Sequence, residues 1–231
     1  MTTLIQIPAL GCNGQLYAEI SPLLPADLDP DVIIPVADRM AGCVEHVLKY
    51  APHQFILLGT SFGGRVAMEL ALFAPSRVKG LIIIGAGPGP VADQPSGLAR
   101  SARIRGGEFE NVLTEMGDII SHLPGPRGVL TMNSFREMSR VMGPENMALQ
   151  SDALAYREDL WPRMAEVECP TLCLWGDHDQ FSNADVGRKI ASVVKRGTFV
   201  ELPDCGHFPT LEYPKETAYV ISSWLSISNL I

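Results

Sequence analysis

Phe55-Ile56-Leu57-Leu58-Gly59-Thr60-Ser61-Phe62-Gly63-Gly64 runs from four apolar residues through a glycine-rich turn into a stretch with helical spacing. The apolar run has strand length and no polar alternation, so it reads as a strand buried on both faces. Gly64–Ala74 then gathers Val66, Leu70 and Phe73 on one face and stops at Pro75. The joint is a G-x-S-x-G pattern in a strand–turn–helix setting. So tight a turn strains the serine and leaves no space for side chains two residues before and after it, which accounts for Gly59 and Gly63. The Ser61 hydroxyl is expected at the top of a sheet, at the positive end of the next helix. There the backbone N–H of Phe62 would stabilise a developing oxyanion. The bland alternative is a turn that merely joins strand to helix; the setting, more than the pattern, favours a nucleophile.

Working outward, similar apolar bursts occur at Leu4–Leu10, Val32–Val36, Val78–Ile84, Thr171–Trp175 and Thr198–Leu202. Between them lie helical stretches. Arg39–Tyr50 places Met40, Cys43, Val44 and Val47 on one face, and Ala184–Val194 follows the fifth burst. Pro214–Ile227 closes the chain, with Pro214 suited to a first helical position and Val220, Ile221, Trp224 and Leu225 as its buried stripe. This order predicts an α/β fold, a mostly parallel sheet of about six strands flanked by helices with right-handed crossovers. From about Gly87 to Pro162 no strand is legible, only helices between the breaks Pro88-Gly89-Pro90, Pro124-Gly125-Pro126 and Gly143-Pro144. Such a length far exceeds an ordinary loop. The expectation is a core of residues 1–87 and 163–231 with a helical cap, residues 88–162, inserted over one edge of the sheet.

The chain's 231 residues suffice for one domain with a large core, and hydrophobic residues make up 46%. Eighteen basic and 26 acidic residues give a charge of −8 with no basic cluster, which argues against nucleic acid or an anionic membrane as partner. The five cysteines, Cys12, Cys43, Cys169, Cys173 and Cys205, are odd in number and form no CxxC pair. They read as buried thiols in a reducing compartment. Ala9-Leu10-Gly11-Cys12 has the look of a lipoprotein cleavage box, but no basic residue precedes Arg39. No apolar run reaches spanning length, so a cytoplasmic protein is expected.

A serine needs a base. Of five histidines, His207 sits in the loop after the last burst, at the sheet edge that would carry Ser61. His46 falls inside a helix, His53 in a turn and His122 in the insertion; His178 is the rival. An acid that orients the imidazole should also lie at a strand end. Gly85–Gly89 offers none, whereas Trp175-Gly176-Asp177-His178-Asp179 offers two. Asp177, His178 and Asp179, or Cys205 with His207, could be imagined as metal ligands, but neither set has an established metal spacing; no metal and no cofactor are expected.

The chain resembles the α/β-hydrolase superfamily nearly end to end. Ser…Asp…His is that fold's chain order, and Gly59–Gly64 looks like its nucleophile elbow. Pro170–Asp179 resembles the family's P-T-L-x-x-x-G-x-x-D segment, which selects Asp179. Gly206-His207-Phe208 with Glu212 and Pro214 resembles its histidine loop, and Ala155–Leu160 the R-x-D segment that follows the cap. The resemblance implies a triad of Ser61, Asp179 and His207. Two departures stand out. Pro8-Ala9-Leu10-Gly11-Cys12 replaces the usual His-Gly after the first core strand, and by alignment Leu10 donates the second oxyanion N–H. The family's outer antiparallel strands and its G-H-G-x-S loop are missing, which implies a trimmed core and an open mouth.

The implied activity is hydrolysis of a small or medium carboxylic ester through an acyl-enzyme on Ser61. Carbon–carbon bond hydrolysis, acyl transfer on the same triad, and a non-enzymatic small-molecule receptor are the alternatives, since a fold does not fix a substrate. Met116, Met132, Met138, Met142 and Met147, with Leu113, Ile119, Ile120, Leu123 and Phe135, suit an apolar acyl group. They suit the cap's own core equally well. Arg157 and Asp159 read as cap-anchoring ion pairs rather than substrate ligands.

Overall fold

In the computed structural model the described residues are 1–91 and 94–231, apart from the side chains of residues 94 and 96. Residues 92 and 93, inside the expected cap, lie outside that description. Six strands, β1 (Thr2–Ile7), β2 (Leu28–Val32), β3 (Phe55–Thr60), β4 (Val78–Ile84), β5 (Thr171–Gly176) and β6 (Gly197–Leu202), form one sheet in the order β2-β1-β3-β4-β5-β6. Every neighbouring pair is parallel. β3 and β5 are buried along their whole length, and β4 everywhere but Lys79. That is the physical origin of their uninterrupted apolar runs.

The edge strands differ from expectation. The second strand is Leu28–Val32, Leu-Asp-Pro-Asp-Val, and not Val32–Val36. It borders β1 alone, so its polar residues can face solvent and Pro30 can go without a ladder donor. Pairing continues one residue further, from the Ile33 N–H to the Gln6 carbonyl at 3.1 Å, and then stops. β6 is the opposite edge and is only half-buried until Leu202.

Helices α1 (Met40–Tyr50) and α2 (Phe62–Phe73) flank the early strands. The former buries Met40, Cys43, Val44 and Val47, as its spacing predicts. The latter begins at Phe62, earlier than expected, and Phe73 points out at 71% exposure. Between β4 and β5 come α3 (Gln94–Arg103), α4 (Phe109–Ile120), α5 (Gly128–Met142) and α6 (Pro144–Ala155). The insertion leaves the sheet intact, since Leu81 of β4 still pairs Thr171 of β5. Its helices reach over the carboxyl ends of the strands rather than a lateral edge. Gln150 on α6 accepts from the Gly11 N–H and donates to the Pro35 carbonyl, while the Ile120 carbonyl at the end of α4 accepts from the His207 N–H. Then follow α7 (Ala184–Val193), the short α8 (Pro209–Glu212) and α9 (Pro214–Ile227). On α9, Ile221, Trp224 and Leu225 are buried and Val220 only partly.

β1 and β3 are neighbours, with β2 on one side and all later strands on the other. The connections therefore diverge there and leave a crevice at the carboxyl ends of β1 and β3.

Candidate active site

Ser61 follows directly on β3 and caps α2. Its φ of 53° and ψ of −114° place an L-residue in a costly conformation, held by the Ser61 N–H to the Ile84 carbonyl at 2.8 Å and the Arg65 N–H to the Ser61 carbonyl at 3.0 Å. The glycines around it are obligatory. A Cβ on Gly59 would run into the Gly63 carbonyl, and one on Gly63 into the Ile7 carbonyl of β1. The strain thus follows from pressing α2 directly against two strands.

His207 is 2% exposed, and its Nδ1 lies 2.7 Å from Asp179 Oδ2. Beside a carboxylate acceptor Nδ1 carries the proton, so Nε2 presents a lone pair. The other oxygen, Asp179 Oδ1, accepts the N–H groups of Phe181 and Ser182 at 2.8 and 3.0 Å. Both oxygens of the carboxylate are thereby engaged, and its orientation is set. Asp177 acts elsewhere, since its Oδ1 accepts the Cys205 N–H at 3.1 Å and ties the acid loop to the histidine loop. His178 is half-exposed and stacks on His122 at 4.0 Å. His46 lies beside Tyr50 on α1. Ser61 and His207 line one cavity, although no hydrogen bond joins them here; among described residues the ring bonds to Asp179. Such contacts often tighten only with substrate bound.

Leu10, just after β1, and Phe62, the first residue of α2, line the same cavity. Among the described residues neither backbone N–H finds an acceptor, as a helix start and a crevice mouth dictate. Gly85 closes the floor. Its φ is +58°, and a Cβ there would stand 2.9 Å from His207 Nδ1 and 3.0 Å from Asp179 Oδ2. Glu212, 3% exposed, accepts the N–H groups of Gly206 and His122 at 2.9 Å each and that of Phe208 at 3.3 Å. Burial pushes its carboxyl above the ordinary range. One carboxylate thus braces the histidine loop against the insertion.

The cavity measures about 450 Å³. Met116, Ile120, Phe135, Phe181 and Phe208 form its apolar wall. Of the ten apolar insertion residues singled out from sequence, only Met116, Ile120 and Phe135 line it. Leu113, Met138 and Met147 are buried in the common core, Met147 against Gly11, and Ile119 and Leu123 face outward. Three arginines, Arg65, Arg100 and Arg157, also line it, and among the described residues no Asp or Glu does. Arg157 forms no ion pair with Asp159; it donates to the carbonyls of Gly89, Leu154 and Pro90. Asp159 instead accepts the Trp161 N–H at 3.0 Å. The segment is anchored through backbone carbonyls, and among the described residues no carboxylate pairs with the guanidinium. Sequence reading missed Arg65, Arg100 and the roles of Gly85 and Glu212. Arg65, a charge one turn after Ser61 on an otherwise apolar helix, was a usable signal; Arg100 offered none.

For a metal, one cluster among the described residues brings ligand atoms within 4.8 Å of one another: His122, His178 and Asp204. Its imidazoles are stacked only 13° from parallel, so their lone pairs do not converge on a common point. It lies outside the cavity lining.

A family model described as the alpha/beta hydrolase family matches residues 7–218. The chain is 25% identical over 193 residues to a pimeloyl-[acyl-carrier protein] methyl ester esterase of Nitrosomonas europaea, covering 78% of this chain and 74% of that one. It is 27% identical over 177 residues to a 2-hydroxy-6-oxononadienedioate/2-hydroxy-6-oxononatrienedioate hydrolase of Escherichia coli, covering 74% and 62%. Among solved structures, a thermophilic esterase from Thermogutta terrifontis, malate bound, superposes with a TM-score of 0.87 at 21% identity, covering 99% of this chain and 90% of that one.

Proposed function

The chain belongs to the alpha/beta hydrolase family, and from that premise we propose that it is a serine hydrolase of small or medium carboxylic esters, with Ser61, His207 and Asp179 as its triad. One observation carries the reading: the buried Asp179–His207 pair, 2.7 Å apart, opens on the same cavity as a serine held at φ 53°.

In the reaction, Ser61 Oγ attacks the ester carbonyl carbon and its proton passes to His207 Nε2. Charge collects on the carbonyl oxygen, where the N–H groups of Leu10 and Phe62 receive it. The tetrahedral intermediate collapses to an acyl-serine, and the leaving alkoxide takes the proton from Nε2. Water, deprotonated by the same nitrogen, then attacks the acyl carbon, and Nε2 returns the proton to Ser61 Oγ as the acid departs. Asp179 holds the tautomer and stabilises the transient imidazolium. Helices α3–α6, within residues 88–162, act as a cap that roofs the cavity, and Met116, Ile120 and Phe135 suit an apolar part of the acyl group. No helix among the described residues is long and apolar enough to cross a membrane. The five free thiols fit a reducing, cytoplasmic setting.

The named relatives include an ester hydrolase and a hydrolase of a different substrate class, and carbon–carbon bond hydrolysis on the same triad is the second reading. Wild type and Ser61→Ala, assayed on p-nitrophenyl esters of rising chain length, test the first. Turnover that vanishes in the variant is expected. Ester cleavage retained in Ser61→Ala would remove the mechanism, and single-event turnover would point to a receptor.

A further inference from the structure

We propose that the cavity selects esters carrying a carboxylate remote from the scissile bond, received by Arg100 with the field of Arg157 and Arg65 behind it. This deepens the serine-hydrolase reading and rests on it for the reaction, though not for the binding.

Charge balance in the cavity is the reason. Three guanidiniums line a half-enclosed space, and no carboxylate of a described residue lines it. Arg65, 2% exposed, is matched by Glu69, with Nη2 to Oε1 at 2.7 Å, and its other N–H groups go to the carbonyls of Pro88, Gly89 and Glu158. Its charge is therefore answered. Among the described residues Arg157 is answered only by three carbonyl dipoles. Burial, with Arg65 and Arg100 adding repulsion, pushes its guanidinium down to about 10, so it remains charged at neutral pH. Arg100 makes no ion pair among the described residues, and desolvation alone depresses its guanidinium. Two positive charges thus face the cavity with no anion among the described residues. A half-buried charge without a counter-charge carries part of the desolvation cost, and a ligand carboxylate would offset that cost through a planar, charge-assisted pair that suits arginine. The apolar residues Met116, Ile120 and Phe135 line the same cavity, which fits an aliphatic spacer between ester and acid.

The test compares monomethyl adipate with the neutral esters dimethyl adipate and methyl hexanoate on the intact wild-type chain. 6-Acetoxyhexanoate, compared with hexyl acetate, moves the charge to the leaving alcohol. A preference of at least tenfold in kcat/KM for one anionic ester over its neutral counterpart is expected, expressed mainly in KM. In Arg100→Gln the ratio should collapse towards one, and Arg100→Lys should recover part of it. Calorimetry gives an arm free of catalysis: adipate should bind at least tenfold more tightly than its neutral isostere adipamide to wild type, and not to Arg100→Gln. Ser61-dependent turnover of neutral esters with no anionic preference, and no adipate selectivity, overturns the inference and leaves the esterase reading standing. Selective adipate binding without turnover of any ester does the reverse. Since the wild-type comparisons decide the matter, a misfolded Arg100 variant would not rescue a failed prediction.

Discussion

At the residue scale, the site turns on hydrogen-bond geometry that substitution can break one atom at a time. Ser61→Ala and His207→Ala should each lower kcat by similar amounts, on the order of 10⁴- to 10⁶-fold, because serine and base act as a unit. Asp179→Asn should cost roughly one or two orders of magnitude less than either. Asp177→Asn should cost little kcat, since its oxygen serves the Cys205 N–H and not the imidazole. Steady-state kinetics on all four variants checks this, and a worse Asp177→Asn than Asp179→Asn would reverse the choice of acid. Gly85→Ala is the sharper probe. Its Cβ would crowd both Nδ1 of His207 and Oδ2 of Asp179 at a positive φ. A displaced imidazole should cut kcat about 100-fold with only about 1–2 kcal/mol of lost stability, read from activity and urea melts of the same preparation.

At the element scale, short loops are braced by a few buried groups, and Glu212 on α8 is the clearest. Glu212→Ala would strand three N–H groups, two of them on the histidine loop and one on the insertion. About 2–5 kcal/mol should be lost, with kcat falling as the loop carrying His207 loosens. Glu212→Gln keeps an acceptor and should lose less. Burial raises this carboxyl's pKa, so ionising it costs more in the folded chain than in the unfolded one. Its contribution is full below the ordinary carboxylate range and declines as pH rises through the raised value. The stability advantage of wild type over Glu212→Gln should therefore shrink as pH rises, as urea midpoints across that range would reveal. The strands show the same dependence on context. β3, β4 and β5 were legible because burial on both faces writes an apolar run. β2 was misplaced because an edge strand needs only one partner and tolerates Asp29, Pro30 and Asp31.

For the whole molecule, the packed core buries four of the five thiols and half-buries the fifth, Cys169. Burial pushes the thiols of Cys43 and Cys173 up to about 12 and that of Cys169 to about 11. The native chain should react slowly with a thiolate-selective disulfide reagent at pH 8, the half-buried Cys169 first, and release all five thiols in guanidinium. A burst of several thiols in the native chain would mean that the core opens far more readily than its packing implies. The sequence by itself determined the α/β order, the sharp strand-to-helix turn at Ser61 and the loop that carries His207, because each is written in neighbouring residues through periodicity, glycine placement and punctuation. Resemblance to a family segment selected Asp179, and the tertiary structure decided how its carboxylate meets the imidazole through space. It also decided that the insertion crosses the carboxyl ends of the strands, and that Arg65, Arg100 and Arg157 share a cavity with no acidic residue among its described lining. Those relations join residues far apart in the chain, and nothing local in the polymer encodes which distant charge will be left without a partner once water has been excluded.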